Sequence, residues 1–317
     1  MTTDLTALAP RTRLFAAVLR RLTKEVTSAE EMIAARASRA RLMDTLPGRF
    51  VFGRRARGVS VENITVDGQR FHIHRPATTG DETLPIVLNL HGGGWCQGAP
   101  EQSEWLASNV AVQARAVVVS PTYRLAPEHP YPAAVDDAWQ ALIWVREHVD
   151  SLGGDLSRLV VMGDSAGGNL AAVLTLKARE SGIAILAQVL IYPAVEMYES
   201  YPSEERYADA PVLTAAGMRR FGHLYLGESY GVEDWEASPV RAFSLADLPP
   251  ALIVSAECDP LRDHSRVYAD ALRAAEVDVT THEYAAAIHG FISLPGAVPV
   301  ARAALDEIVA FLRRVTA

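Results

Sequence analysis

Residues 160–171 read VVMGDSAGGNLA: an apolar run, then Gly163-Asp164-Ser165-Ala166-Gly167-Gly168, then a stretch suited to helix. Glycine tolerates tight or left-handed backbone and weakens any regular element it interrupts. Gly163 and Gly167 around Ser165 therefore predict a sharp turn that presents one hydroxyl at the end of a buried strand. G-x-S-x-G arises by chance in roughly one chain in ten of this length, so the motif alone decides little. Its context decides more, because a strand before the serine and a helix after it are what a nucleophile elbow requires.

Outward from this turn, apolar strands alternate with helical segments. The strands read LPIVLNL, RAVVVS, SRLVVMG, AILAQVLIY, PALIVSAEC and VDVTTHEYA. The helical patterns include PAAVDDAWQALIWVREHV, the segment after Ser165 and the C-terminal VARAALDEIVAFLRRV. Near-continuous Val/Ile/Leu strands separated by helices predict a mostly parallel sheet covered on both faces. Ahead of it, GVSVENITV and QRFHIHR alternate around Asp67-Gly68, an antiparallel hairpin signal. His72 and His74 share one face there and read as surface or half-buried strand residues, since no third metal ligand lies near.

Two segments break the rhythm. Residues 1–45 place Leu14, Phe15, Val18, Leu19 and Leu22 at helical spacing, with Arg11, Arg13, Arg20, Arg21 and Lys24 between them. Such a helix can lie on a membrane surface, but Asp4, Glu25, Glu30 and Glu31 dilute its positive face. Packing over the main domain is the expectation. Between Pro193 and Ala251, PVLTAAGMRRFGHLYLG is helical and no strand is evident, which is too long for an ordinary connection. The two segments together are expected to form a lid over the end of the sheet.

The net charge of −8 argues against a nucleic-acid partner. No apolar run approaches the roughly 18 residues needed to cross a bilayer. The short LFAAVL stretch, closed by Arg20 and Arg21, lacks a cleavage site, so the expected compartment is the cytoplasm. Cys96 and Cys258 fit that reading as small buried side chains.

A serine nucleophile needs a base, the base an orienting acid, and the developing oxyanion needs donors. NLHGGGWCQG follows a strand, and its glycines permit the close backbone approach that N–H donation demands. Asp259 follows an apolar strand in PALIVSAECDPLRDH and is preferred over Asp263, which falls within the next helical pattern. In THEYAAAIHGF, His282 lies inside the strand and reads as structural, whereas His289 lies in the loop beyond. The order Ser165, Asp259, His289 is that of an α/β-hydrolase triad. Asp164, and Arg124 and Glu128 with Asp136 and Asp137, read as scaffold charges rather than catalytic ones.

HGGGW, YRLAPEHPYPAAVDD, GDSAGG, DPLRD and HGF, in that order, resemble the bacterial members of the hormone-sensitive lipase family of α/β-hydrolases. The resemblance runs from about residue 58 to 317 and implies an α/β-hydrolase fold with a helical cap. It implies Ser165 as nucleophile, Asp259 as acid and His289 as base, with the N–H groups of Gly93, Gly94 and Ala166 as the oxyanion hole. A cap from residues 1–45, with 194–245 contributing to it from within a catalytic domain of 46–317, would border the acyl pocket. Trp95, Leu213, Met218 and Phe221 are its candidate substrate contacts. One departure is His264, where many relatives carry Glu.

The activity this implies is hydrolysis of short- to medium-chain carboxylic esters through an acyl-enzyme, with no metal or cofactor. An amide or lactone hydrolase would use the same triad, and a non-catalytic ligand-binding protein would use the same fold. Expected partners are a small-molecule ester and, at most, a second copy of the chain (monomer or homodimer), without stable membrane insertion.

Overall fold

The computed structural model describes residues 8–22, 28–78, 80, 82–231 and 233–317. Asp4, Lys24, Glu25 and the side chain of Leu22 lie outside that set.

Eight strands form one sheet: β1 (Val59–Val66), β2 (Gln69–Pro76), β3 (Leu84–Leu90), β4 (Val117–Pro121), β5 (Gly154–Asp164), β6 (Ala187–Ile191), β7 (Ala251–Cys258) and β8 (Val279–Ile288). Their order is β1-β2-β4-β3-β5-β6-β7-β8. β2 pairs antiparallel with both β1 and β4, and every later pair is parallel. The hairpin closes where expected, with Val66 opposite Gln69 and positive φ at Asp67 (49°) and Gly68 (84°). Left-handed backbone at both turn positions matches the twist of the flanking strands.

The helices are α1 (Pro10–Leu22), α2 (Ala29–Asp44), α3 (Leu46–Val51), α4 (Glu104–Gln113), α5 (Ala133–Glu147), α6 (Val149–Leu152), α7 (Ala166–Glu180), α8 (Pro202–Arg206), α9 (Ala215–Leu226), α10 (Arg262–Ala274) and α11 (Val300–Val315). Side chains alternate faces along a strand, so each central strand feeds two cores. Ile86, Leu88, Val119, Val161 and Ile253 join the core under α5, α7 and α10. Val87, Val118, Val160, Val189 and Val254 join the one under α4 and α11. Burial on both sides is why these strands read as continuous apolar runs rather than alternating ones.

Two expectations are corrected. His72 and His74 are buried, not surface residues, because β2 is an interior strand whose face is covered by the segment running into α4. His74 Nε2 lies 3.0 Å from Glu104, and His72 lies 3.6 Å from Glu101. The second correction concerns α1. Its buried line is Thr12 and Ala16, continued by Leu8, while Leu14 and Val18 point to solvent. Thr12 anchors the inner face by donating its hydroxyl to the Ala297 carbonyl (3.2 Å). A polar residue with a distant acceptor thus replaces the leucine that periodicity favours.

Candidate active site

β5 ends and α7 begins at Ser165, which adopts φ 56° and ψ −118°. A non-glycine residue there is strained by about 1–3 kcal/mol and needs its surroundings to hold it. They do so through backbone hydrogen bonds: its N–H donates to Ile191 (2.8 Å), and its carbonyl accepts from Asn169 (3.0 Å) and Ala194 (3.3 Å). The flanking glycines are required by packing. A Cβ on Gly163 would overlap the Gly167 carbonyl, and one on Gly167 would overlap the Leu90 carbonyl.

The parallel topology brings the ends of β5, β7 and β8 to one rim. Asp259, one residue past β7, is fully buried and accepts the Leu261 N–H at Oδ1 (2.8 Å). Its Oδ2 lies 2.7 Å from Nδ1 of His289, the residue after β8. Nε2 of that imidazole lies 2.9 Å from the Ser165 hydroxyl. A carboxylate only accepts, so Nδ1 carries the ring hydrogen and Nε2 is free to take the serine proton. Tyr192, at the end of β6, packs a tilted ring 4.8 Å from the imidazole and limits its rotation. Asp263 is elsewhere, accepting the Ser203 N–H (2.9 Å) and pairing with Arg262 (2.8 Å). His282 faces Glu307 at 3.5 Å on the far part of β8.

The glycine loop after β3 is fixed from several sides. Asp164 accepts the Gly92 N–H (2.8 Å), Gln102 donates to the Gly92 carbonyl (3.0 Å), and Tyr123 donates to the His91 carbonyl (2.7 Å). Asp164 thus ties the glycine loop to the turn at Ser165. Among the described residues, the N–H groups of Gly93, Gly94 and Ala166 donate to no backbone carbonyl. Ala166 opens α7, where the first N–H groups lack helical partners and carry the positive end of the helix dipole.

α9 lies on this loop. The Phe221 ring occupies the space a Gly94 side chain would need, and Trp95 stacks on Tyr225 at 4.3 Å. Leu213 is buried and Met218 half-buried in the same apolar cluster. Val212 approaches the Gly290 turn beside His289. Burial pushes the thiol of Cys96, two residues after Gly94, up to about 12 and that of Cys258 up to about 11, so both stay protonated at neutral pH.

Sequence reasoning missed Arg36. From α2 it donates to the carbonyls of Cys96 (2.5 Å) and Ala126 and pairs with Glu128 at 2.6 Å. Arg124 pairs instead with Asp137 at 2.8 Å. Arg124 and Glu128 thus sit in two separate pairs, and the one made by Glu128 joins α2 to the glycine loop. Met32, beside Cys96 and Ala126, buries the apolar part of that contact.

Residues 87–293 match the family model described as alpha/beta hydrolase fold. The chain belongs to the α/β-hydrolase family. Among curated relatives of this α/β-hydrolase, esterase LipI of Mycobacterium tuberculosis is 42% identical over 260 residues, covering 80% of this chain and 81% of that one. Ethyl acetate hydrolase of Pseudomonas putida is 35% identical over 230 residues, covering 72% of each. The solved hyperthermophilic esterase of the archaeon Pyrobaculum calidifontis superposes with a TM-score of 0.84 at 34% identity, over 98% of this chain and 99% of that one. The resemblance to the hormone-sensitive lipase family holds, and with it the α/β-hydrolase fold.

Proposed function

We propose that this carboxylic ester hydrolase cleaves short- to medium-chain acyl esters through an acyl-enzyme on Ser165. The observation that carries the reading is the His289 imidazole, held between Asp259 (2.7 Å) and Ser165 (2.9 Å). His289 Nε2 accepts the hydroxyl proton as Ser165 Oγ attacks the ester carbonyl carbon. Asp259 fixes the tautomer and stabilises the imidazolium. The carbonyl oxygen, now negative, takes hydrogen bonds from the N–H groups of Gly93, Gly94 and Ala166, each such donor being worth about 3–4 kcal/mol. Collapse expels the alcohol with the proton from His289. Water, deprotonated by the same nitrogen, then releases the acid.

Residues 1–45 and 194–245 act in this reading as a cap on the catalytic domain of 46–317, with Phe221, Met218, Leu213 and Trp95 as its apolar wall. The contacts of α2 and α9 with the donor loop support that assignment. Ethyl acetate, the substrate in the name of the Pseudomonas putida relative, supports small esters as substrates here. Two buried, protonated cysteines fit a cytoplasmic protein, acting as monomer or homodimer. Among the described residues, no helix is long and apolar enough to cross a membrane.

The test is steady-state hydrolysis of p-nitrophenyl acetate and butyrate. Ser165→Ala and His289→Ala should each lower kcat by about 10⁴-fold or more without lowering Tm by more than a few degrees. Wild-type rates in either variant would defeat the assignment.

A further inference from the structure

The outward face of α1 and the neighbouring α3 expose apolar side chains among the described residues. Leu14 is 67% exposed and Val18 44%, while on α3 Leu46 is 82% and Phe50 61% exposed. On α1 the face runs Arg11, Leu14, Val18, Arg21, a spacing that lines side chains along one side of a helix. The Arg11 guanidinium lies 4.7 Å from the centroid of the Phe50 ring, which joins the two helices into one patch. Leu46 is four residues before Phe50, and Arg49 beside it is also exposed.

The segment that carries this patch is also the basic part of the chain. Residues 1–58 hold 12 Lys and Arg against 5 Asp and Glu, whereas the remaining chain holds 18 against 33. An acidic protein with one basic end is oriented by an anionic surface, basic end first. Apolar side chains rimmed by arginines are suited to the boundary between lipid head groups and acyl chains. A protein partner would need an acidic face with a matching apolar groove, and the flat side of a single helix offers little shape to read.

We propose that the α1–α3 face docks this hydrolase peripherally on anionic phospholipid. Leu14, Val18, Leu46 and Phe50 enter the head-group boundary, and Arg11, Arg21 and Arg49 face lipid phosphates. The inner side of α1 rests on the segment following His289 through the Thr12 to Ala297 hydrogen bond. The proposal stands apart from the catalytic roles of Ser165 and His289.

The experiment is co-sedimentation of the full-length protein with vesicles of phosphatidylglycerol or of phosphatidylcholine, at low and high salt. Each arginine near an anionic surface contributes about fivefold in partition. The wild type should partition at least about tenfold more strongly into phosphatidylglycerol, and high salt should remove that preference. L14S/V18S/F50S and, separately, R11E/R21E should each lower partition by about tenfold or more, with Tm and hydrolysis of a soluble ester unchanged. Absence of vesicle binding, equal binding to both lipids, or wild-type partition in the charge-reversed variant would overturn it. So would light scattering that shows a dimer dispersed by the triple variant without vesicle binding, since the patch would then be a contact between copies.

Discussion

His264 is buried against the edge of the Tyr201 ring, five residues after Asp259, and neither of its ring nitrogens has a hydrogen-bond partner among the described residues. Burial lowers its pKa to about 4, overriding the pull of the Asp259 and Asp263 carboxylates in the other direction. In the unfolded chain a histidine titrates near 6.5. Between these values the unfolded state binds the extra proton, so stability is fully present above about pH 6.5 and is lost as pH falls towards 4. The loss from this one residue is about 3 kcal/mol. His72, also lowered by burial, acts in the same direction. His264→Leu should flatten the decline in unfolding free energy between pH 6.5 and 4.5 as followed by urea titration. A slope equal to wild type would show that the imidazole is hydrated in the fold.

At the scale of elements, the glycine loop proposed to hold the oxyanion is gripped by α2 and α9 as well as by the sheet. Arg36 is the central contact, because its guanidinium spans the carbonyls of Cys96 and Ala126 and the Glu128 carboxylate. Glu128 is held below the usual carboxylate range by that guanidinium. Arg36→Ala should lower kcat for a soluble ester by about ten- to hundredfold, with a smaller change in KM, because misplaced donors weaken the transition state more than binding. An unchanged kcat would mean that the loop holds its shape without α2. This contact also marks where the sequence stops being readable. Ser165, Asp259 and His289 were legible because each follows an apolar strand, and the parallel order brings strand ends to one rim. The Asp67-Gly68 hairpin was legible because two-residue turns have local chemistry. The partner of Glu128 was not, since Arg36 lies 92 residues away and no local pattern links them. Likewise, periodicity could not reveal that α1 buries Thr12 and leaves Leu14 and Val18 outside, because the acceptor for Thr12 comes from residue 297.

At the scale of the whole molecule, a sheet whose central strands are buried on both faces carries the proposed catalytic rim, and the N-terminal helices pack against the loops around it. The sheet leaves little freedom at the rim, since Ser165 is fixed by β6 through Ile191 and the imidazole is wedged between Asp259 and Tyr192. Catalysis should therefore require no assembly step when substrate enters. The most direct measurement is trapping with diethyl p-nitrophenyl phosphate, followed by peptide mass spectrometry. Wild-type protein should release one equivalent of p-nitrophenolate as a Ser165 Oγ–P bond forms, and the diethylphosphoryl group should sit on the peptide that carries Ser165. His289→Ala should be labelled at least about a thousandfold more slowly. A label on any other residue, or labelling of His289→Ala at the wild-type rate, would contradict the account.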